Sequence, residues 1–331
     1  MTVLVTGGGG FIGSAIVRRL HAGGRPVRVL ARGRYPWLAR LGVDARQGDV
    51  ARADDVGRAL EGCESVFHVA ARAGVWGDPA EYRRTNVEGT ANVIEACRRE
   101  GVARLIFTSS PSVVFAGRDE EGIDERAPYP SRYLAAYPRT KAAAERAVLA
   151  ANRAGLATVA LRPHLVWGPG DPHLVPRILS RARAGRLRLV GDGSNRVDST
   201  YVENAAAAHL LAEARLAADP AIGGRAYFIS NGEPLPIGEL LDRILAAAGL
   251  PPLRRRVPAL VAYAAGAVLE TAHRCLRRQE EPAMTRFVAR SLSAAHWYDL
   301  SAARRDLGYA PEVSIDEGMR RLGRWLSDAS A

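Results

Sequence analysis

Short apolar runs alternate with amphipathic stretches along the first half of the chain. Thr2-Val3-Leu4-Val5-Thr6 is too short for a helix and reads as a buried strand, whereas Ser14 to Leu20 is amphipathic. The alternation recurs, and it predicts strands near 2–6, 26–31, 43–47, 65–70, 103–109 and 156–162 with helices between them. Strands separated by helices imply an α/β fold with a doubly wound parallel sheet. After Gly168 the pattern breaks up. Short strands near 187–190, 197–202 and 226–229 mix with helices near 173–184, 203–216 and 237–248. The division predicted is residues 1–167 for a nucleotide-binding domain and 168–331 for a smaller, interwoven α/β substrate lobe.

The first turn carries the strongest chemical signal of this half. Gly7, Gly10 and Gly13 form G-x-x-G-x-x-G between the first strand and its helix. The first glycine permits a sharp turn, the second a close approach of backbone to a pyrophosphate, the third close packing of helix on strand. The free amides of Phe11, Ile12 and Gly13, at the positive end of the helix, then face the phosphates. The sheet is therefore of Rossmann type, and its ligands belong beyond the carboxyl ends of the strands.

A second signal lies in Tyr137-Pro138-Arg139-Thr140-Lys141, which opens an alanine-rich run read as helix. Residues four apart share one helix face. An ammonium beside a phenol favours the phenolate, so Lys141 is expected to lower the Tyr137 pKa and make it a general acid or base near neutral pH.

Together the two motifs resemble the extended short-chain dehydrogenase/reductase superfamily. Further segments match in order: Gly48-Asp49-Val50, Val66 to Ala71, Asn86-Val87-Glu88-Gly89-Thr90, Phe107-Thr108-Ser109-Ser110, and Leu161-Arg162-Pro163 with Gly168-Pro169-Gly170. The resemblance implies a catalytic set of Ser110, Tyr137 and Lys141, with Ser109 as the neighbouring alternative for the serine. Tyr137 would exchange a proton with the substrate oxygen, Ser110 would orient that oxygen, and Lys141 would hold the nicotinamide ribose. It further implies cofactor contacts at Asp49, Val50, Ala70, Ala71, Asn86, Thr108 and the backbone of Pro163-His164, with the His164 ring structural. A homodimer through the Tyr137 helix and the one near 173–184 is implied as well, with Ala142 and Ala143 allowing close approach.

Tyr137 to Asn152, Arg162-Pro163-His164 and Val197 to Asn204 are similar to the 3β-hydroxysteroid dehydrogenase branch. Within it, Ala70 to Gly77, Ser110 to Val114 and His173 to Pro176 look most like bacterial 2-alkyl-3-oxoalkanoate reductases of long-chain olefin biosynthesis. Sterol-4-carboxylate 3-dehydrogenases are the second relative, and sugar-nucleotide epimerases a more distant one. The resemblance implies a lipophilic 3-oxo or 3-hydroxy acid as substrate and leaves a complex with pathway enzymes open. Trp76, Val113, Val114 and Trp167 are the expected lining for its alkyl tails, and Arg196 the expected partner of its carboxylate.

Cofactor choice follows from the second strand. An NAD site would end it with Asp or Glu for the ribose 2′-hydroxyl. Here Val27 to Ala31 is followed by Arg32, Gly33 and Arg34, which offers guanidinium groups to a 2′-phosphate and favours NADP(H).

Composition narrows the rest. The 331 residues carry a net charge of +11, suited to an anionic cofactor, an acidic substrate or a membrane surface, and no nucleic-acid-binding module accompanies it. Three scattered cysteines, Cys63, Cys97 and Cys275, predict buried free thiols, neither disulfides nor a metal site, and a reducing cytoplasm. The first strand begins at Thr2, which predicts no cleavable signal. Val257 to Leu269 is apolar apart from Tyr263 and flanked by arginines, too short to span a bilayer. A buried lobe helix is the default expectation, and a helix resting on the inner membrane face the alternative.

Overall fold

Six apolar segments pair side by side because each is covered on both faces, and the polar, largely exposed Asp44–Gln47 joins them as an edge strand. The computed structural model describes residues 2–328. Its main sheet contains β1 (Thr2–Thr6), β2 (Val27–Ala31), β3 (Asp44–Gln47), β4 (Cys63–His68), β5 (Arg104–Thr108), β6 (Ala157–Pro163) and β7 (Arg225–Ile229). They run parallel in the order β7-β6-β5-β4-β1-β2-β3. Alternate side chains of β1 enter opposite layers, as strand geometry requires. Val3 and Val5 pack with Ile16, Val17 and the Val202–Ala218 helix, while Leu4 packs with Val56, Val93 and Val148 on the other face.

The chain reaches the edge at β3 and returns to the middle as β4, so direction reverses between β1 and β4. A doubly wound sheet opens a crevice at that point. The strand predicted over 65–70 is observed two residues earlier. Val69 and Ala70 lie beyond it, and the Ala70 amide bonds the Thr6 hydroxyl at 3.2 Å.

The layers do not follow a cut at residue 167. β7 completes the main sheet from the second half of the chain, and Glu120–Ile123 from the first half joins a small mixed sheet. That sheet runs Leu235–Pro236, Arg196–Val197, His296–Tyr298, Glu120–Ile123. Two swapped segments thus stitch the lobes together.

Glu145 and Arg162 form a buried ion pair at 2.7 Å, and the Tyr129 hydroxyl donates to Glu145 at 2.6 Å. This fixes the helix Ala136–Ala150, which carries Tyr137 and Lys141, against β6. Ala142 is 1% exposed inside this packing and is unavailable to a second subunit, unlike Ala143.

The apolar segment after residue 257 forms the helix Ala259–Cys275, but it is not a buried lobe helix. Only Ala262, Gly266 and Glu270 are buried, at four-residue spacing. A Cβ on Gly266 would lie 2.7 Å from the Thr285 carbonyl carbon, so the helix sits directly on the start of the helix Arg286–Ser293. One narrow stripe is buried because the short helix Arg286–Ser293 is its main packing partner, with Trp76 reaching only the last turn at His273 and Arg274. Cys275, on the exposed side, departs from the expected burial of the cysteines; Cys63 and Cys97 are buried, and burial pushes the Cys97 thiol up to about 12. Among the described residues no helix is long and apolar enough to cross a membrane.

Candidate active site

The glycine turn lies at the switch point. Gly7 has φ 69°, and a Cβ there would stand 2.9 Å from the Ala70 backbone. At Gly13 a Cβ would meet the Gly7 carbonyl oxygen at 2.2 Å. Both positions therefore exclude any side chain. The helix Phe11–Ala22 starts at Gly10 with no side-chain cap and no acid in its first turn. Its first amides, at the positive end of the helix dipole, suit an anion. The turn fits a dinucleotide pyrophosphate.

Around this crevice the sequence-derived cofactor residues fall as follows. Arg32 is exposed past the end of β2; its carbonyl accepts from Gln47 at 3.0 Å, and its guanidinium has no ion pair among the described residues. Asp49 caps Ala51 at 3.0 Å and approaches Arg84, while the Val50 carbonyl accepts from Asn92. Ala70 and Ala71 follow β4 beside Gly7. Asn86 sits in a π-helical turn, Arg83–Glu88. Its side chain brackets Arg72 through both backbone groups, at 2.7 and 3.1 Å, and donates to Thr140 at 3.1 Å. It ties the loop after β4 to the Tyr137 helix, a positioning role.

Ser110, Tyr137 and Lys141, the expected acid–base set, meet at the end of β5. Burial raises the Tyr137 pKa, with the Ser110 hydroxyl bonded to it pulling the other way. Lys141 Nζ donates to the Thr108 carbonyl at 2.6 Å and lies 3.9 Å over the Phe107 ring. Burial brings its own pKa down to about 7. The lowering of Tyr137 by Lys141 expected from spacing is thus not observed. The ammonium is directed to a carbonyl and a ring face, and desolvation dominates both groups.

Ser110, not Ser109, faces Tyr137; the Ser110 hydroxyl also accepts from the Ser112 amide at 3.2 Å. Ser109 Oγ is buried without a hydrogen-bond partner. The Thr108 hydroxyl is engaged by His209 at 2.7 Å, so the carbonyl is the part of Thr108 that faces the site. Pro163 ends β6, and the His164 amide is already bonded to Ile229 and its carbonyl to the Thr200 hydroxyl. The His164 ring bonds His296 at 2.8 Å, and burial keeps it neutral.

Beside Ala135 and Ala136, at the start of the Tyr137 helix, opens a cavity of about 280 Å³. Trp76, Tyr82, Leu134, Arg274, Thr285 and Phe287 line it. Tyr82 is close enough to push the Tyr137 pKa up. Of the residues expected to hold substrate, Trp76 alone belongs to this lining. Trp167 is a core residue with 0% exposure, stacked edgewise on Tyr201 and bonded to Ser199. Val113 is likewise buried in the main core, and Val114, 3% exposed, borders a separate groove near Glu120 and Ile123. Arg196 is exposed on the small sheet and bonds the Pro234 carbonyl at 3.1 Å, so it is not the cation of this cavity. Tyr82, Arg274, Thr285 and Phe287 were missed in the sequence because no local pattern links residue 82 to 274–287. Among the described residues no group of three or more His, Cys, Asp or Glu side chains could hold a metal.

Residues 4–258 match the 3-beta hydroxysteroid dehydrogenase/isomerase family. The chain belongs to that family. Its chemistry is accordingly oxidoreduction between a hydroxyl and a carbonyl. The chain is 55% identical over 326 residues to a 2-alkyl-3-oxoalkanoate reductase of Shewanella oneidensis, covering 96% of this chain and 84% of that one. A protein of the same description from Stenotrophomonas maltophilia is 52% identical over 324 residues, 97% and 98% of the two chains. Among solved structures, the UDP-glucose 4-epimerase of Thermus thermophilus in complex with NAD superimposes with a TM-score of 0.76 at 29% identity, covering 99% of this chain and all of that one. The common architecture with an NAD-bound epimerase agrees with a dinucleotide crevice at the glycine turn.

Proposed function

We propose that the protein is an NADPH-dependent reductase that converts a 2-alkyl-3-oxoalkanoic acid to the 2-alkyl-3-hydroxy acid. The observation that carries this reading is identity above half, over nearly the whole chain, with two reductases so described. The Gly7–Gly13 turn would hold the pyrophosphate of a nicotinamide dinucleotide, which when bound would supply hydride to the C3 carbonyl carbon. Tyr137 donates its phenolic proton to the C3 oxygen, and Ser110 hydrogen-bonds the same oxygen and holds it at the tyrosine. The raised Tyr137 pKa suits donation: the phenol arrives protonated. Lys141, held by Thr108 at the end of β5, is the cation for the nicotinamide ribose. Arg32 is the partner of the 2′-phosphate, and its unpaired guanidinium supports NADP(H) over NAD(H).

The cavity beside Tyr137 takes the substrate in this reading. Trp76, Leu134 and Phe287 supply apolar surface, and Arg274 is its cation, standing 5.6 Å over the Trp76 ring. A carboxylate leaving water needs such a partner. A homodimer through the exposed side of the Ala136–Ala150 helix, at Ala143 and Ala147, belongs to the same proposal.

The test follows NADP⁺ reduction with stable 2-alkyl-3-hydroxy acids of graded length, beside a 3β-hydroxysteroid and a UDP-sugar. Efficiency should rise with tail length until the pocket is full, at about 0.8 kcal/mol per buried CH₂. Turnover of the steroid with none of the branched acids would move the assignment to a steroid dehydrogenase.

A further inference from the structure

We propose that the outer face of the helix Ala259–Cys275 docks on an anionic lipid surface. Leu260, Val261 and Val268 are 78%, 54% and 68% exposed, and Leu276 just past the helix is 63% exposed. Val261, Ala264, Ala265 and Val268 recur at the spacing of one helix face, opposite the buried Ala262, Gly266 and Glu270. An apolar face of this size is left uncovered by the rest of the protein.

Charge selects the occupant. Arg254, Arg255 and Arg256 precede the helix and Arg277 and Arg278 follow it; all five are exposed, none within salt-bridge distance of a carboxylate among the described residues, and Arg256 alone is near enough to an acid, Asp192, to lower its pKa. The helix contains one acid, Glu270, which is buried and bonded to Arg286 at 2.8 Å, so no carboxylate of the helix faces outward. An apolar strip between two clusters of free arginines matches the layering of an anionic interface, with acyl chains below and phosphates at both ends. A second copy of the chain is a poor fit, because each copy would bring the same arginines against the other.

The helix has a further part in the design of the site. Its inner edge supplies Glu270 and Arg274 to the cavity beside Tyr137. A docked helix therefore sets that cavity against the bilayer, where a greasy acid resides. This last step rests on the reductase reading; docking itself does not.

The experiment sediments the full chain with phosphatidylcholine vesicles, with and without phosphatidylglycerol, at low and high salt. No substrate is present, so failure of the reductase reading leaves the result unchanged. Binding is expected only with phosphatidylglycerol, and it should weaken about tenfold or more at high salt, as electrostatic docking requires. Two variants are compared with wild type, Val261→Asp/Val268→Asp and Arg254→Ser/Arg255→Ser/Arg256→Ser. Each should lose vesicle binding while keeping its melting temperature. Absence of binding to anionic vesicles, or binding that both variants retain, would overturn the proposal. So would a change of oligomeric state by light scattering in Val261→Asp/Val268→Asp without loss of vesicle binding, which would make the face a contact between copies.

Discussion

Lys141 donates a 2.6 Å hydrogen bond to the Thr108 carbonyl, so the helix that carries Tyr137 is anchored to the end of β5 by its own lysine. The ammonium is 2% exposed as a residue and lies over the Phe107 ring, where burial brings its pKa to about 7. The group proposed to hold the nicotinamide ribose is thus poised at neutrality.

That poise sets a pH dependence. In the unfolded chain Lys141 titrates near 10.5, and in the folded protein near 7. Below about pH 7 both states are protonated and folding bears the full cost of the buried charge, on the order of several kcal/mol at ~1.4 per pKa unit. Between the two values the unfolded state binds more protons, so stability rises with pH. Denaturant titrations of protein stripped of cofactor should show Lys141→Met more stable than wild type at pH 7, the gap narrowing toward pH 10. A gap independent of pH would assign the lysine an ordinary pKa.

Replacement of the phenol isolates the proton transfer. Tyr137→Phe should bind NADPH as wild type does and lose about 10²–10⁴-fold in turnover. Fluorescence titration of the cofactor and single-turnover kinetics separate the two. Retention of most of the single-turnover rate would remove Tyr137 from the chemistry.

Arg32 is the proposed determinant of the choice between cofactors. Arg32→Ala should give up about 1.5–3 kcal/mol of NADPH preference, the range for a hydrogen bond to a charged group. The comparison is kcat/KM for NADPH and NADH in both proteins. Equal use of the two by wild type would refute the assignment.

Glu145→Gln leaves the Arg162 guanidinium buried beside a neutral amide. Loss of one partner of a buried pair costs about 3–5 kcal/mol. The denaturation midpoint should fall accordingly, and removal of both charges in Glu145→Gln/Arg162→Met should recover part of it. A midpoint unchanged in the single variant would mean the pair contributes nothing.

The local devices were legible before the fold was. G-x-x-G-x-x-G announced Gly7 and Gly13, because the absence of a Cβ is a property of the residue itself, and the structure brings backbone to 2.9 and 2.2 Å of the missing atoms. The strand and helix alternation gave the parallel sheet for the same reason: periodicity records which faces are covered. Trp167 misled, since an aromatic beside a family motif has the same sequence signature whether it lines a pocket or fills a core. Arg196 misled similarly, a cation in a strand whose direction no local pattern reveals.

The chain order of residues therefore determined the elements, the glycine turn and the helix that brings Tyr137 and Lys141 to one side. Only the tertiary structure decided what those groups experience. Desolvation depends on everything packed around a side chain, which is why Tyr137 rises where spacing alone predicted a fall. The cavity is a tertiary product too: Trp76 and Tyr82 meet Arg274 and Phe287 across some two hundred residues of chain, at the contact of two lobes. So is the exposure of the helix Ala259–Cys275, whose apolar sequence reads as core and whose surroundings leave most of it in water.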